Sequence, residues 1–308
     1  MAYTVSPLSN ELSFGSVVSG LRAEDIVRQE VVDDLNQLWI DRGLLLFRDV
    51  DTSPEFQIEL SKCFGKLEPH PVRESWLDGM PELISITSKP EAGTIYEVDG
   101  KEVAGWIPWH CDTIYTPQLN RGGILRVTQP TSWGGETCFI DQIEAYNTLP
   151  DRLKELVEGM EIVYRMESTV ESIYARRIGV KMLRQSDSMK SMLSRIDTHW
   201  PEVAHPVVYV QPVTGRKVLK VSPHFAKHIL GKTVAESEPI LVELFDHITS
   251  QKMFRQKWRE GSDEMVLWDN WRVLHSVTPC PVDEQRTMRR TTIGGTVVSG
   301  HYLAKQVA

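Results

Sequence analysis

From residue 123 onward the chain is dominated by short segments rich in β-branched and aromatic residues: GILRVTQ, GGETCFID, VVYVQPVTGRKVLKVS, EMVLWDN, RVLHSV and RRTTIGG. Most are of strand length, and a Thr-Gly pair inside the third marks a turn. Short strands in this number bury their apolar faces only by stacking or closing on one another, which predicts a sandwich or barrel-like core. Helical spacing interrupts them in AYNTLPDRLKELVEG and TVAESEPILVELFDHIT, where Leu, Ile and Phe recur at intervals of three and four. Earlier, GLLLFRDV (43–50) reads as a buried strand. Ser53-Pro54 then opens a helix through EFQIELSKCFG, with a cap, a first-turn proline and a closing glycine. ELISIT (82–87) is a further strand candidate, so the expectation is an α+β fold with helices around a β core.

Two segments lack a sustained period. Residues 88–107, SKPEAGTIYEVDGKEVAGWI, are rich in Gly, Pro and charge and read as a mobile loop running into WHCD. Residues 165–200 are rich in Met, Arg and Ser and read as a helical insertion or lid. No repeat or linker divides the chain, which predicts a single domain, 1–308, with lid segments near 88–108 and 165–200.

A net charge of -8 without a Lys/Arg cluster argues against a nucleic-acid partner and favours a small molecule. No apolar run approaches the roughly 20 residues needed to span a bilayer, and the start, MAYTVSPLSNELSFG, lacks the marks of a signal peptide. A cytoplasmic protein without a membrane partner is expected. Cys63, Cys111, Cys138 and Cys280 are scattered singly, as free thiols would be, rather than paired for zinc or dithiol redox chemistry.

Residues two apart in a strand point to the same side, so His110 and Asp112 in WHCDTIY can offer an imidazole and a carboxylate to one ion while Cys111 faces away. One such pair arises by accident in a chain with nine histidines, so a third donor has to come from elsewhere. His275, in WDNWRVLHSV after an Asp-Asn turn, is a candidate, although a late-strand histidine is commonly a core or surface residue. Two histidines and a carboxylate on one face of an octahedron leave positions open for a co-substrate and O2 on iron(II). Arg286, Arg289 and Arg290 follow in QRTMRRTTIGG, where a guanidinium could anchor a carboxylate, or three arginines could form a solvated face. Thr137 offers a hydroxyl, or only its β-propensity.

Together these residues resemble the taurine dioxygenase and chlorophenoxyacetate dioxygenase family of iron(II) and 2-oxoglutarate enzymes. The resemblance covers nearly the whole chain, through FGKLEPHPV (64–72), WHCDTIYTPQ (109–118), GGETCFIDQIEAYNTLP (134–150), HPVVYVQPVTGRKVL (205–219), VLWDNWRVLHSV (266–277) and RRTTIGG (289–295). It implies a double-stranded β-helix, or jelly-roll, with His110, Asp112 and His275 holding iron. Thr137 and Arg286 would hold the distal carboxylate of 2-oxoglutarate, and Arg290 falls on the family's second arginine. The implied reaction consumes O2 and 2-oxoglutarate, releases succinate and CO2, and hydroxylates a substrate C–H bond. Family members commonly form dimers or tetramers, so a homo-oligomer is expected.

His70 matches a position that contacts the substrate's anionic group in taurine enzymes, and Arg290 could pair with it. This chain departs from the taurine pattern at Arg73, where those enzymes have tyrosine, and at Trp106, where they have asparagine. Trp106, Trp109 and Tyr115 would make a bulkier, more apolar mouth, suited to a larger or aromatic organic acid, although such residues also serve as wall packing. Two readings from other classes stay open: a zinc hydrolase on the same three ligands, and a catalytically silent jelly-roll that binds a metabolite.

Overall fold

The protein is described by a computed structural model over residues 3–69, 76–77, 79–166, 169–194 and 201–303. The described strands form five sheets, and the two that frame the site make four layers with the helices outside them. The larger sheet has eight strands in the order Thr4–Pro7, Ser16–Ser19, Leu44–Arg48, Met265–Asp269, Gly122–Gln129, Arg286–Thr291, Met80–Ser88 and Trp76–Leu77. The smaller is antiparallel, in the order Met253–Gln256, Thr137–Asp141, Val273–Val277 and Ile107–His110.

Side chains alternate along each strand, and the packing follows that alternation. In LLLF, Leu44 and Leu46 pack inward with Leu125, Val127 and Met288 of the large sheet and Phe139 and Val273 of the small one. Leu45 and Phe47 face outward onto Trp39 of helix Gln29–Arg42 and Phe56 of helix Pro54–Lys62. Both faces are dry, which is why this strand reads as an unbroken apolar run. The outer face of the small sheet, through Ile140 and Leu274, packs on Leu241, Leu244 and Phe245 of helix Val234–Thr249.

Local signals explain where elements begin. Ser53 accepts a hydrogen bond from Phe56 N at 3.2 Å, capping the helix that Pro54 opens. Thr233 and Glu236 form a reciprocal capping box at the start of Val234–Thr249. The segment expected as one helix after residue 144 is two, Gln142–Asn147 and Asp151–Val157, because Pro150 caps the second rather than continuing the first.

The stretch 88–107 differs from the loop expected there. Ile95–Val98 and Lys101–Ala104 form a hairpin around Asp99 and Gly100, both with positive φ as a tight Asp-Gly turn requires. Lys181–Arg184, from the second aperiodic segment, adds to its edge as a third strand. The two expected lids are therefore paired with each other; residues 167–168 and 195–200 of the second lie outside the described residues.

Candidate metal centre and active site

The site forms between the two sheets. In the small sheet, His275 lies directly opposite His110 on one neighbour and Phe139 on the other. The two imidazole centroids are 4.1 Å apart, and His275 packs within 5.2 Å of the Trp268 ring. Asp112 is not in the strand with His110, as expected, but in the turn that follows it. The turn still delivers the carboxylate, with Asp112 Oδ1 3.7 Å from His110 Nε2 and 3.6 Å from His275 Nε2. Donor atoms of all three residues lie within 4.8 Å of one another. Cys111 points away, its thiol donating to Gln142 Oε1 at 3.5 Å.

Surrounding groups hydrogen-bond to two of the three donor residues, His110 and Asp112. His110 Nδ1 donates to the Pro108 carbonyl at 2.7 Å, which leaves Nε2 with a free lone pair facing the other two donors. Asp112 is held by its backbone: its N–H donates to Asn270 Oδ1 at 2.9 Å, and its carbonyl accepts from Asn270 Nδ2 at 2.9 Å. The other carboxylate oxygen, Oδ2, accepts from Arg290 Nη2 at 2.6 Å. Burial and the neighbouring His275 keep the His110 imidazole well below its ordinary range and therefore neutral. Burial would raise the Asp112 carboxyl, but the Arg290 guanidinium beside it outweighs this and holds it well below the carboxylate range. Two imidazole nitrogens and one carboxylate oxygen converge, which is the donor set of a non-haem iron(II) centre.

Arg286 lies on the inner face of its strand, 6% exposed, and donates from Nε and Nη2 to the Gly135 carbonyl at 3.2 and 2.8 Å. No carboxylate among the described residues pairs with it, and burial brings its pKa down to about 10. Gly135 has φ +60°, and a Cβ there would sit 2.8 Å from Arg286 Nε, so the GGET motif makes room for the guanidinium. Two residues on, buried Thr137 accepts from Trp258 Nε1 at 3.0 Å, which leaves its hydroxyl proton to donate. Arg286 lines a cavity of about 350 Å³ with Trp106, Tyr96, Met189, Lys89 and His224. Trp106 meets Tyr96 edge to face at 5.6 Å.

The family model described as "Taurine catabolism dioxygenase TauD, TfdA family" matches residues 4–292. This chain belongs to that family. An (S)-phenoxypropionate/α-ketoglutarate dioxygenase of Sphingobium herbicidovorans is 30% identical over 98% of this chain and 99% of its own length. An α-ketoglutarate-dependent 2,4-dichlorophenoxyacetate dioxygenase of a Burkholderia species is 28% identical over 92% of each chain. A taurine dioxygenase structure from Burkholderia xenovorans superposes with a TM-score of 0.73 at 25% identity, covering 99% of this chain and 97% of that one.

The taurine dioxygenase family is one of α-ketoglutarate-dependent dioxygenases acting on small molecules, with iron(II), 2-oxoglutarate (α-ketoglutarate) and O2 as its reaction partners. Of the residues singled out from the sequence, the structure brings His110, Asp112 and His275 together, sets Arg290 against Asp112, and places Arg286 and Trp106 on one cavity. His70 and Arg73 lie outside the described residues. No helix among the described residues is long and apolar enough to cross a membrane.

Three residues escaped sequence reasoning. Asn270 clamps Asp112, and Trp258 orients Thr137. His224 lies with its ring centroid 6.4 Å from that of His110, its Nδ1 is buried without a hydrogen-bond partner among the described residues, and burial lowers it to about 3. The Asp-Asn turn was a usable signal for Asn270. A lone tryptophan and a lone histidine carried none.

Proposed function

We propose that this enzyme hydroxylates a C–H bond of a small, largely apolar or aromatic organic acid, with His110, Asp112 and His275 holding iron(II) and Arg286 and Thr137 holding 2-oxoglutarate. The observation that carries the reading is Arg286. A buried guanidinium with no counter-ion among the described residues is costly unless a ligand supplies the carboxylate. A hydrolytic metal site needs only its ligands and a water, and would leave that arginine and the Thr137 hydroxyl without employment.

In this reading Arg286 takes the distal carboxylate of 2-oxoglutarate through paired N–H donors, and Thr137 adds a third donor while Trp258 holds its oxygen. When bound, iron(II) would supply O2 activation coupled to oxidative decarboxylation of the co-substrate to succinate and CO2. His110, Asp112 and His275 keep that ion in place, and the walls of Trp106, Tyr96 and Met189 exclude water from the primary substrate. Those walls favour an aromatic acid, as do the phenoxyalkanoates in the names of two relatives. The two sheets, facing each other across a shared core, are read as the halves of a double-stranded β-helix in a single domain. The three-stranded sheet of residues 95–104 and 181–184 is read as its lid.

The test is turnover with iron(II), 2-oxoglutarate and O2 against phenoxyacetate, 3-phenylpropionate and taurine. Succinate formed in step with an oxygenated product from the aromatic acids is the expected result. Preference for taurine would refute the substrate assignment, and no succinate with any compound would refute the reaction.

A further inference from the structure

We infer that Arg290 is a positioning residue that restricts Asp112 to a single metal-facing oxygen. The inference rests on the proposal that His110, Asp112 and His275 hold the iron. The two oxygens of Asp112 have different neighbours: Oδ1 lies 3.7 and 3.6 Å from the Nε2 atoms of His110 and His275, while Oδ2 accepts from Arg290 Nη2 at 2.6 Å. A charge-assisted bond of that length occupies Oδ2 and turns it from the ion.

Arg290 is itself held. Its strand neighbours across the large sheet are Leu125 and Ile84. Its guanidinium carbon stands 5.0 Å from the centroid of the Trp268 ring. Asn270 meanwhile clamps the Asp112 main chain, so the carboxylate is fixed at its backbone and at its outer oxygen.

The consequence is a matter of coordination number. A carboxylate can bind a cation through one oxygen or through both. On an octahedral ion, two histidines and one oxygen leave room for the two donor atoms of a 2-keto acid and for O2. A chelating Asp112 would close one of those positions. Arg290 thus preserves the vacancy that the reaction uses, and an anionic substrate that sought Arg290 would have to compete with Asp112 for it.

The experiment uses the full-length protein loaded anaerobically with Mn(II), with waters on the ion counted by line broadening in 17O-enriched water. Thermal melting first establishes that each variant is folded. Arg290→Gln should hold one exchangeable water fewer than wild type and bind 2-oxoglutarate on the order of tenfold more weakly. Arg290→Lys, which keeps a cation beside Oδ2, should restore the wild-type water count. An unchanged count and unchanged 2-oxoglutarate affinity in Arg290→Gln, with only phenoxyacetate binding lost, would make Arg290 a substrate anchor and overturn the inference. Wild-type protein that binds no Mn(II) would instead remove the metal reading beneath it.

Discussion

Arg286 and Arg290 sit four residues apart on the inward face of one strand, yet their charges are handled in opposite ways. Arg290 is neutralised within the protein by Asp112, whereas among the described residues Arg286 pairs only with a peptide carbonyl. Arg286→Ala should therefore raise the 2-oxoglutarate concentration needed for half-maximal binding by roughly ten- to a hundredfold, because hydrogen bonds to a charged partner contribute about 1.5–3 kcal/mol. Calorimetric titration of the metal-loaded variant reads this, and unchanged affinity would exclude Arg286 from the co-substrate site. The buried imidazoles make a second prediction. His205 and His224 are lowered by burial to about 4 and about 3, so the unfolded chain takes up protons that the folded one refuses. Their contribution to stability is complete above the unfolded value of about 6.5 and is lost as pH falls below it. The urea midpoint of the metal-free protein should drop from pH 6.5 toward pH 4, less steeply in His224→Phe. The sequence exposed the candidate ligands because imidazole and carboxylate types are distinctive, but it hid His224, whose burial depends on what surrounds it.

Strand alternation sorts the arginines. Arg289 faces away from its two neighbours and donates to Gln57 Oε1 at 2.8 Å and to the Thr52 carbonyl at 2.5 Å, tying the strand to helix Pro54–Lys62. Arg289→Ala should lower the melting temperature, at a cost of about 2–3 kcal/mol for the buried charged bonds, and leave 2-oxoglutarate affinity unaltered. A loss of affinity without a loss of stability would contradict that division. Elements with plain physical signatures were legible: the doubly buried LLLF strand, the capped helices, and the Thr-Gly hairpin pairing Val208–Val210 with Lys217–Leu219. Register was not. Nothing local places His275 opposite His110, because pairing between residues so far apart is set by the folded sheets. The hairpin at Asp99-Gly100 was masked by charged strands whose stability comes from pairing with Lys181–Arg184, distant in sequence.

At the scale of the molecule, a single arrangement serves both stability and chemistry. The inner faces of the two sheets carry the shared core of Leu125, Met288, Phe139 and Val273, and the same faces present Thr137, His275, Arg286 and Arg290. The candidate metal donors thus stand on well-packed strands, apart from Asp112, which Asn270 and Arg290 hold in its turn. In the proposed function this arrangement places a keto acid on an iron centre. Its most direct test is anaerobic titration of the Fe(II)-loaded protein with 2-oxoglutarate, followed by visible absorption. A metal-to-ligand charge-transfer band that saturates with 2-oxoglutarate and is missing in His275→Ala is the predicted result. Folded, iron-loaded protein that gives no band at saturating 2-oxoglutarate would contradict the account.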